Sequence, residues 1–336
     1  MENIEAFSPV ETSPLKGSLD HLKSLVDPGD TLAILINADP DAMSSAAALK
    51  RILAAKTKKI QVFHINTIQR TDNLAFIKLL KISQRHIRYL KPDRITKWAL
   101  VDAQPNHSEQ FRNRRFDIII DHHPFESFSK APFMDIREHY GATATIMTEY
   151  LRAARIKPAQ RLATALFYGI KTDTENFIRK SVSGDISAFR FLYPFTNMNM
   201  IQKIETSRIS QRMLVFYKNA LDRLIVLKNV AFVHMEKVEN PDILVILADF
   251  FLKLEETTWS IVSGICRDKL IVILRKASFR GDAGKAAHHL FQKWGGSAGG
   301  HRDAARAELP LAGLTEEFKE RFFSGAFITA NPNAFQ

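Results

Sequence analysis

The feature that most constrains the fold is an alternation of continuous apolar segments with helical patterns in the first half of the chain. Segments 31–37, 60–66, 97–103 and 116–123 each have the composition of a buried strand, and 44–55 has that of a helix. Continuous apolar strands joined by helical crossovers are typical of a parallel sheet that is covered on both faces. The sequence therefore predicts an α/β fold.

The chain length of 336 residues favours two domains, and a change of pattern indicates where they divide. Two long helical patterns cover 142–156 and 158–171, and a polar stretch follows them. Beyond that stretch the sequence predicts a hairpin, a helix, a pair of long strands and another helix. We expect an N-terminal domain at 1–195 that starts with a leader helix (1–27), a helical linker at 196–220 and a smaller α/β domain at 221–336.

Composition limits the classes of protein to consider. The balance of 46% apolar and 25% charged residues is typical of a soluble globular protein, and no apolar run is long enough to span a membrane. The single cysteine, Cys266, excludes a disulfide framework and favours the cytoplasm. A formal net charge of +11 favours polyanionic partners, although a well-solvated basic surface explains it equally.

Acidic and imidazole side chains follow the predicted strands at the points where they end. Taken alone, each of these residues is more often a helix cap, a turn residue or a solvated helix end. Together they would converge at one edge of the sheet, where carboxylates repel one another unless cations neutralise them. Mixed carboxylate and imidazole ligands suit Mn²⁺ or a similar divalent ion. The residues are Asp39, Asp41, Asp102, Asp121, His122, His123 and, after a helix, Asp173.

Four motifs, in this order, resemble those of the DHH phosphoesterases. They are DPDAMSSAAAL (39–49), VDAQP (101–105), DHHP (121–124) and GIKTDTENF (169–177). The second domain resembles the DHH-associated C-terminal domain, with KASFRG (276–281) and GGH (299–301) matching its substrate-binding motifs. The resemblance extends from about residue 30 to about residue 310.

The resemblance implies a two-metal phosphoesterase with its active site in the cleft between the domains. Asp39 would bind one Mn²⁺ and Asp41 the other, with Asp102 bridging them and with His122 and Asp173 completing the second site. Catalytic roles would fall to Asp121, which orients its neighbours, and to His123, which faces the substrate phosphate. The implied substrate-binding residues are Ser278, Arg280, Gly299, Gly300 and His301.

The first motif departs from the family pattern at two positions. Leu35 stands where family members that act on short oligonucleotides carry a histidine, and Asn37 stands where RecJ-like members carry an acidic residue or histidine. Asn37 would be a neutral and weaker metal ligand. A rival alignment would match Pro40-Asp41 to the usual Pro-Asp and place Met43 at the second acidic position, but the small-residue helix entry fits the first alignment better.

The leading hypothesis is a Mn²⁺-dependent phosphoesterase of the oligoribonuclease and pAp-phosphatase type. Its substrate would be a short oligonucleotide, a linear dinucleotide or a 3′,5′-nucleoside bisphosphate such as pAp. One alternative is a non-catalytic nucleotide or nucleic-acid binder with a weakened first metal site. Another is a pyrophosphatase or polyphosphatase, against which the C-terminal motifs argue. We expect no membrane partner, and the leader helix is available to form a homodimer.

Overall fold

A computed structural model describes residues 12–68, 70–125, 130–178, 181–206, 211–277 and 280–335. The chain divides into two compact units, 1–207 and 208–336. None of the described helices has both the length and the apolar character needed to cross a lipid bilayer.

The first unit contains a six-stranded sheet in which every adjacent pair of strands is parallel. Its order is β3-β2-β1-β4-β5-β6, which confirms the predicted parallel sheet. The sequence patterns missed β3, which has only two residues, and β6, which has four residues but lacks the continuous apolar run of β5. The strands are β1 (Thr31–Ile36), β2 (Lys59–His64), β3 (Arg85–His86), β4 (Lys97–Val101), β5 (Ile118–Asp121) and β6 (Phe133–Ile136).

Helices connect these strands and follow them. The first of them lies within the predicted leader, and another occupies part of the predicted linker. They are α1 (Thr12–Ser24), α2 (Pro40–Leu53), α3 (Thr71–Leu80), α4 (Glu109–Arg112), α5 (Thr143–Ala153), α6 (Gln160–Asp173), α7 (Ser183–Leu192) and α8 (Met198–Glu205). A short 3₁₀ turn at Pro105–His107 follows β4.

Side chains on both faces of the sheet are buried, as continuous apolar strands require. Ile34 and Ile36 of β1 belong to a large core with residues of α2, α5 and α6. Leu35, on the opposite face, packs in a smaller core that includes Phe63 and the α4 residue Phe111. The first core is therefore covered by long helices and the second mainly by short segments.

The second unit is built around a six-stranded sheet of order β11-β12-β10-β9-β8-β7. The predicted hairpin is present as the antiparallel pair β7 and β8, while β8 and β9 are parallel. The strands are β7 (Ile225–Leu227), β8 (Val230–Lys237), β9 (Trp259–Cys266), β10 (Lys269–Lys276), β11 (Ser297–Gly300) and β12 (Ala304–Pro310). The helices are α9 (Gln211–Asp222), α10 (Asp242–Phe251), α11 (Ala283–Phe291), α12 (Glu316–Phe323) and α13 (Ala326–Ala330).

The glycine-rich segment before His301 forms strand β11. Its last residue, Gly300, has φ +147°. A Cβ atom at Gly300 would lie 2.4 Å from the carbonyl oxygen of Ala304, so only glycine fits there. A Cβ atom at Gly299, in contrast, would meet no atom within 4 Å. The glycines thus permit a tight β11–β12 connection.

Candidate metal centre

The acidic and imidazole residues of the first unit lie where strand order reverses in the parallel sheet. In the order β3-β2-β1-β4-β5-β6, successive strands are added to one side of β1 and then, from β4 onward, to the other. The carboxyl ends of β1 and β4 at such a switch point form the usual ligand crevice of an open α/β sheet. Asp39 and Asp41 follow β1, and Asp102 follows β4.

Asp39 and Asp41 both cap helices, but they cap different ones. Oδ1 of Asp39 accepts a hydrogen bond of 2.9 Å from the backbone N–H of Ala42, which caps α2. With Pro40 as its first residue, α2 begins four residues before the predicted helix at 44–55. Asp41 instead receives the first N–H groups of α5, with 2.7 Å from Thr143 to Oδ2 and 2.7 Å from Ala144 to Oδ1.

Two close contacts hold the Asp41 carboxylate in place. The Oγ atom of Ser45, one turn further along α2, lies 3.3 Å from its Oδ1. Gly169 of α6 packs against the backbone of Asp41, since a Cβ atom built on Gly169 would lie 3.2 Å from the Asp41 Cα. Helices α2, α5 and α6 therefore converge on this carboxylate.

Asp102 follows β4 in the left-handed region of backbone conformation, with φ +59°. Asp tolerates this region better than most residues, and such conformations concentrate at functional sites. Its Oδ1 accepts a hydrogen bond of 2.8 Å from Oγ1 of Thr143, the first residue of α5. The same residue thus contacts Asp41 through its backbone and Asp102 through its side chain.

His122 in its neutral form presents an unprotonated ring nitrogen to these carboxylates. Its Nδ1 lies 3.2 Å from the carbonyl oxygen of Tyr140, so Nδ1 carries the proton of the neutral ring and donates it to that oxygen. Its Nε2 atom is buried. Oδ2 of Asp173 lies 2.9 Å from Nε2 and Oδ1 of Asp102 lies 3.6 Å from it. A ring nitrogen beside two carboxylates requires a cation among them, either a proton on the ring or a metal ion.

Ligand atoms of Asp41, His122 and Asp173 all lie within 4.8 Å of one another, as do those of Asp102, His122 and His123. The donor set of carboxylate oxygens and one imidazole nitrogen fits a divalent metal such as Mn²⁺. The carbonyl of Tyr140 supplies the outer hydrogen bond that normally fixes the orientation of a ligating histidine. These residues fit the second metal site that the motifs imply.

The electrostatics of the cluster also favour a cation within it. Burial, reinforced by the Asp173 charge, raises the pKa of Asp39 to about 6 and that of Asp41 to about 7. Burial and the neighbouring carboxylates raise the pKa of Asp102 well above its usual value. Burial opposes charge on His122, yet the carboxylates around it, Asp173 first, raise its pKa to about 10. Protons therefore occupy this cluster when no metal does.

Asp121 has a different role because hydrogen bonds occupy both of its oxygens. Oδ1 accepts from Nδ1 of His123 at 2.8 Å and from the backbone N–H of His122 at 2.9 Å. Oδ2 accepts from the side-chain amide of Gln104 at 2.8 Å. Although burial raises the pKa of Asp121, the bond from His123 and that from Gln104 lower it to about 2. Asp121 is placed to orient the His123 ring through Nδ1.

Sequence reasoning missed residues that hold these side chains. Gln104 is completely buried and Thr143 joins two of the acidic loops, while Tyr140 fixes His122. Gln104 lies inside the VDAQP motif, which was the one local signal available. One imidazole was also missed: the ring centroid of His107 lies 5.2 Å from that of His123.

The two divergent positions of the first motif contribute differently. Leu35 is fully buried in the core on the α4 side of the sheet. Asn37 lies one residue beyond β1 and is exposed. Of the residues expected at the first metal site, Asp39 and Asp102 are close enough for the charge of Asp39 to raise the pKa of Asp102.

The substrate-binding residues expected from the second domain lie in the second unit. Arg280 is exposed shortly before α11, and Gly299 and Gly300 lie on β11. His301 is exposed and its backbone N–H donates to the carbonyl of Ala304 at 2.8 Å. Ser278 lies outside the described residues.

Comparison with protein families gives two matches. The model of the DHH family, N-terminal domain, matches residues 32–170, and that of the DHHA1 domain matches residues 227–324. The first match contains the described metal-centre residues apart from Asp173, which follows it by three positions.

Similar proteins include an uncharacterized protein of Methanocaldococcus jannaschii, 33% identical over 320 residues. That alignment covers 90% of this chain and 66% of the relative, so the chain spans about two thirds of the relative's length.

Two solved structures share the fold. An exopolyphosphatase-related protein from Bacteroides fragilis has a TM-score of 0.72 at 18% identity, covering 96% of this chain and 98% of that one. RecJ from Thermus thermophilus, in complex with Mn²⁺, has a TM-score of 0.54 at 15% identity, covering 96% of this chain and 56% of that one. With both domains matched in order, the chain belongs to the DHH family of phosphoesterases and carries a C-terminal DHHA1 domain.

Proposed function

We propose that this chain is a Mn²⁺-dependent phosphoesterase that hydrolyses short oligonucleotides, linear dinucleotides or 3′,5′-nucleoside bisphosphates. The observation that carries the proposal is the convergence on buried Nε2 of His122 of carboxylate oxygens from Asp173, at 2.9 Å, and from Asp102 and Asp41. A divalent ion among these atoms would lower the pKa of bound water and neutralise phosphate charge.

The protein residues would position the reacting groups around that ion. Asp41, held by the N-terminus of α5, and His122, held by Tyr140, are fixed before substrate arrives. Asp121 accepts a hydrogen bond from Nδ1 of His123, so Nε2 of His123 would donate to a phosphate oxygen only when the ring carries both protons, a form that the Asp121 carboxylate stabilises. In the overall reaction, water adds to phosphorus, the P–O ester bond breaks, and the leaving oxygen takes a proton.

The proposed substrate class rests on the charge of the chain and on residues of the second unit. The net charge of +11 favours a polyanionic substrate. RecJ, which shares the fold of this chain, has been solved in complex with Mn²⁺. Arg280 and the β11 glycines would bind a terminal phosphate through a guanidinium fork and backbone amides. Phosphoanhydrides such as pyrophosphate and polyphosphate are the competing substrates.

The experiment is a substrate panel with Mn²⁺, run beside metal analysis of the purified protein. We expect turnover of a dinucleotide, pAp or a short RNA, and loss of that turnover in Asp102→Ala. Turnover of pyrophosphate or polyphosphate alone would replace this proposal with the phosphoanhydride alternative. Nucleotide binding with no turnover of any compound would show a non-catalytic binder.

We also propose that two ions bind with unequal affinity. The second site has the ligand set of Asp41, His122 and Asp173, whereas the first has the exposed amide of Asn37 at the position where the motif resemblance implies a stronger ligand. Titration with Mn²⁺ should then show one tight and one weak ion per chain. Asn37→Asp should tighten the weak site and leave the tight one unchanged. Two equally tight ions in the wild type would contradict this.

A further inference from the structure

A buried carboxylate outside the metal centre, that of Asp185, joins the start of α5 to the start of α7. Its oxygens accept hydrogen bonds from the backbone N–H of Gly141, at 3.0 and 3.1 Å, and from that of Val182, at 2.8 Å. The hydroxyl of Thr145 donates to Oδ1 of Asp185 at 2.5 Å. Asp185 has no exposed surface, and these bonds compensate for the loss of water around its charge.

Two of these donors, Gly141 and Thr145, lie on either side of Thr143, each two positions away. Thr143 contacts Asp41 through its backbone N–H and Asp102 through its hydroxyl. The chain is therefore held on both sides of the residue that positions these two carboxylates.

The first turn of α7 also holds the residue that orients His122. Tyr140, whose carbonyl oxygen lies 3.2 Å from Nδ1 of His122, directly precedes Gly141. The Tyr140 ring packs against Gly184, the neighbour of Asp185, since a Cβ atom built on Gly184 would lie 3.2 Å from that ring. The backbone contact at Gly141 and the ring contact at Gly184 thus hold the carbonyl of Tyr140 in place.

We propose that Asp185 is a positioning residue of the metal centre. Through the first turn of α5 it holds Asp41 and Asp102, and through the carbonyl of Tyr140 it holds His122. Ligands that are fixed before the ion arrives bind it more tightly, because they need no rearrangement on binding. The proposal rests on the proposed metal-dependent function and deepens it by naming the residue that maintains the ligand geometry.

Substitution of Asp185 tests whether the centre depends on it. Asp185→Ala removes the acceptor of all these hydrogen bonds, whereas Asp185→Asn keeps one acceptor oxygen and can donate to the hydroxyl of Thr145. We expect Asp185→Ala to weaken Mn²⁺ binding by about 10- to 100-fold, as loss of an outer partner of metal ligands does. Asp185→Asn should restore most of that affinity. Titration calorimetry measures it at a temperature at which circular dichroism shows every variant to be folded.

Phe116→Ala is the control for a general loss of stability. Phe116 is buried just before β5, at the edge of the sheet opposite to the one that carries the ligands. Its replacement should lower Tm, as truncation of a buried aromatic side chain does, and leave Mn²⁺ affinity at the wild-type value. Wild-type Mn²⁺ affinity in Asp185→Ala would overturn the proposal, as would an equal loss of affinity in Phe116→Ala.

Thr145→Val tests the same carboxylate if Asp185→Ala does not fold. Val keeps the shape of the side chain but removes the hydroxyl that donates to Asp185, whereas Thr145→Ser retains a hydroxyl. We expect Mn²⁺ binding to be about threefold or more weaker in Thr145→Val than in Thr145→Ser, and equal affinities would contradict the proposal. Mn²⁺ binding is measured without substrate, so a wild type that binds Mn²⁺ but hydrolyses nothing would refute the proposed function and leave this comparison interpretable.

Discussion

The buried side-chain amide of Gln104 donates a hydrogen bond of 2.8 Å to Oδ2 of Asp121. Gln104 has no exposed surface, and its amide also donates to the carbonyl of Pro124. Because Asp121 in turn accepts from His123, the orientation of His123 depends on the completely buried Gln104. Gln104 is therefore a positioning residue of the centre.

Replacing Gln104 by Glu should disable this arrangement. The change preserves shape but removes the donor and places a second carboxylate against Asp121, so we expect destabilisation by about 3 kcal/mol, as for an unpaired buried charge. Activity should fall with it, and Tm and kcat measure the two effects. Gln110→Glu, an exposed change in α4, is the matched control and should stay within about 0.5 kcal/mol of wild type. Equal stability of the two variants would refute the assignment.

Asp102→Asn should stabilise the metal-free protein while abolishing its response to metal. The amide oxygen still accepts from Thr143, but one carboxylate of a mutually repelling cluster is gone. At pH 8 without metal, we expect the free energy of unfolding to increase by about 1 kcal/mol. Addition of Mn²⁺ should then cause no further rise in Tm. Thermal denaturation with and without Mn²⁺ provides the measurement. The exposed Asp93→Asn should change neither value. A destabilised Asp102→Asn that still responds to Mn²⁺ would exclude Asp102 as a ligand.

The pH dependence follows from the raised pKa values of Asp39, about 6, and Asp41, about 7. Between the unfolded value of 3.8 and these values, the metal-free folded state binds protons that the unfolded state has lost. The free energy of unfolding contributed by these groups is therefore fully present below pH 3.8 and is lost as pH rises through 6 and 7.

Metal should reverse this trend, because Mn²⁺ binds the deprotonated ligands and must displace protons from the carboxylates and from His122. We expect the rise in Tm caused by Mn²⁺ to be larger at pH 8 than at pH 5. Differential scanning calorimetry at both pH values, with a chelator as the metal-free reference, provides the comparison. A rise in Tm that does not vary with pH would show that the metal binds elsewhere.

Gly169→Ala should disturb the centre through helix packing alone. The added Cβ would lie 2.7 Å from Oγ of Ser44 and 3.2 Å from Cα of Asp41, so α2 must move. We expect destabilisation by about 1 to 3 kcal/mol together with weaker Mn²⁺ binding. Gly17→Ala in α1 meets no atom within 4 Å and should stabilise the protein by up to about 1 kcal/mol. Unchanged Mn²⁺ affinity in Gly169→Ala would show that the Asp41 position tolerates the shift.

The sequence by itself determined the parallel sheet and the edge at which the acidic residues gather. Both follow from local information, because apolar strands show themselves by composition and all strands of a parallel sheet end on the same edge. The cap interpretation of Asp39 was also local, since its partner Ala42 lies three residues away. The order of the motifs also indicated the family, and the two domain matches confirm it.

Only the tertiary structure decided what each side chain does within that edge. Asp41 caps a helix whose first residue lies 102 positions later in the chain, and Asp102 meets Thr143 across 41 positions. No local pattern encodes such contacts, because they depend on how α2, α5 and α6 pack against the sheet. The same packing exposes Nε2 of His122 to carboxylates from two other segments, Asp102 and Asp173. Sequence placed the ligands at one edge, and packing made them a site.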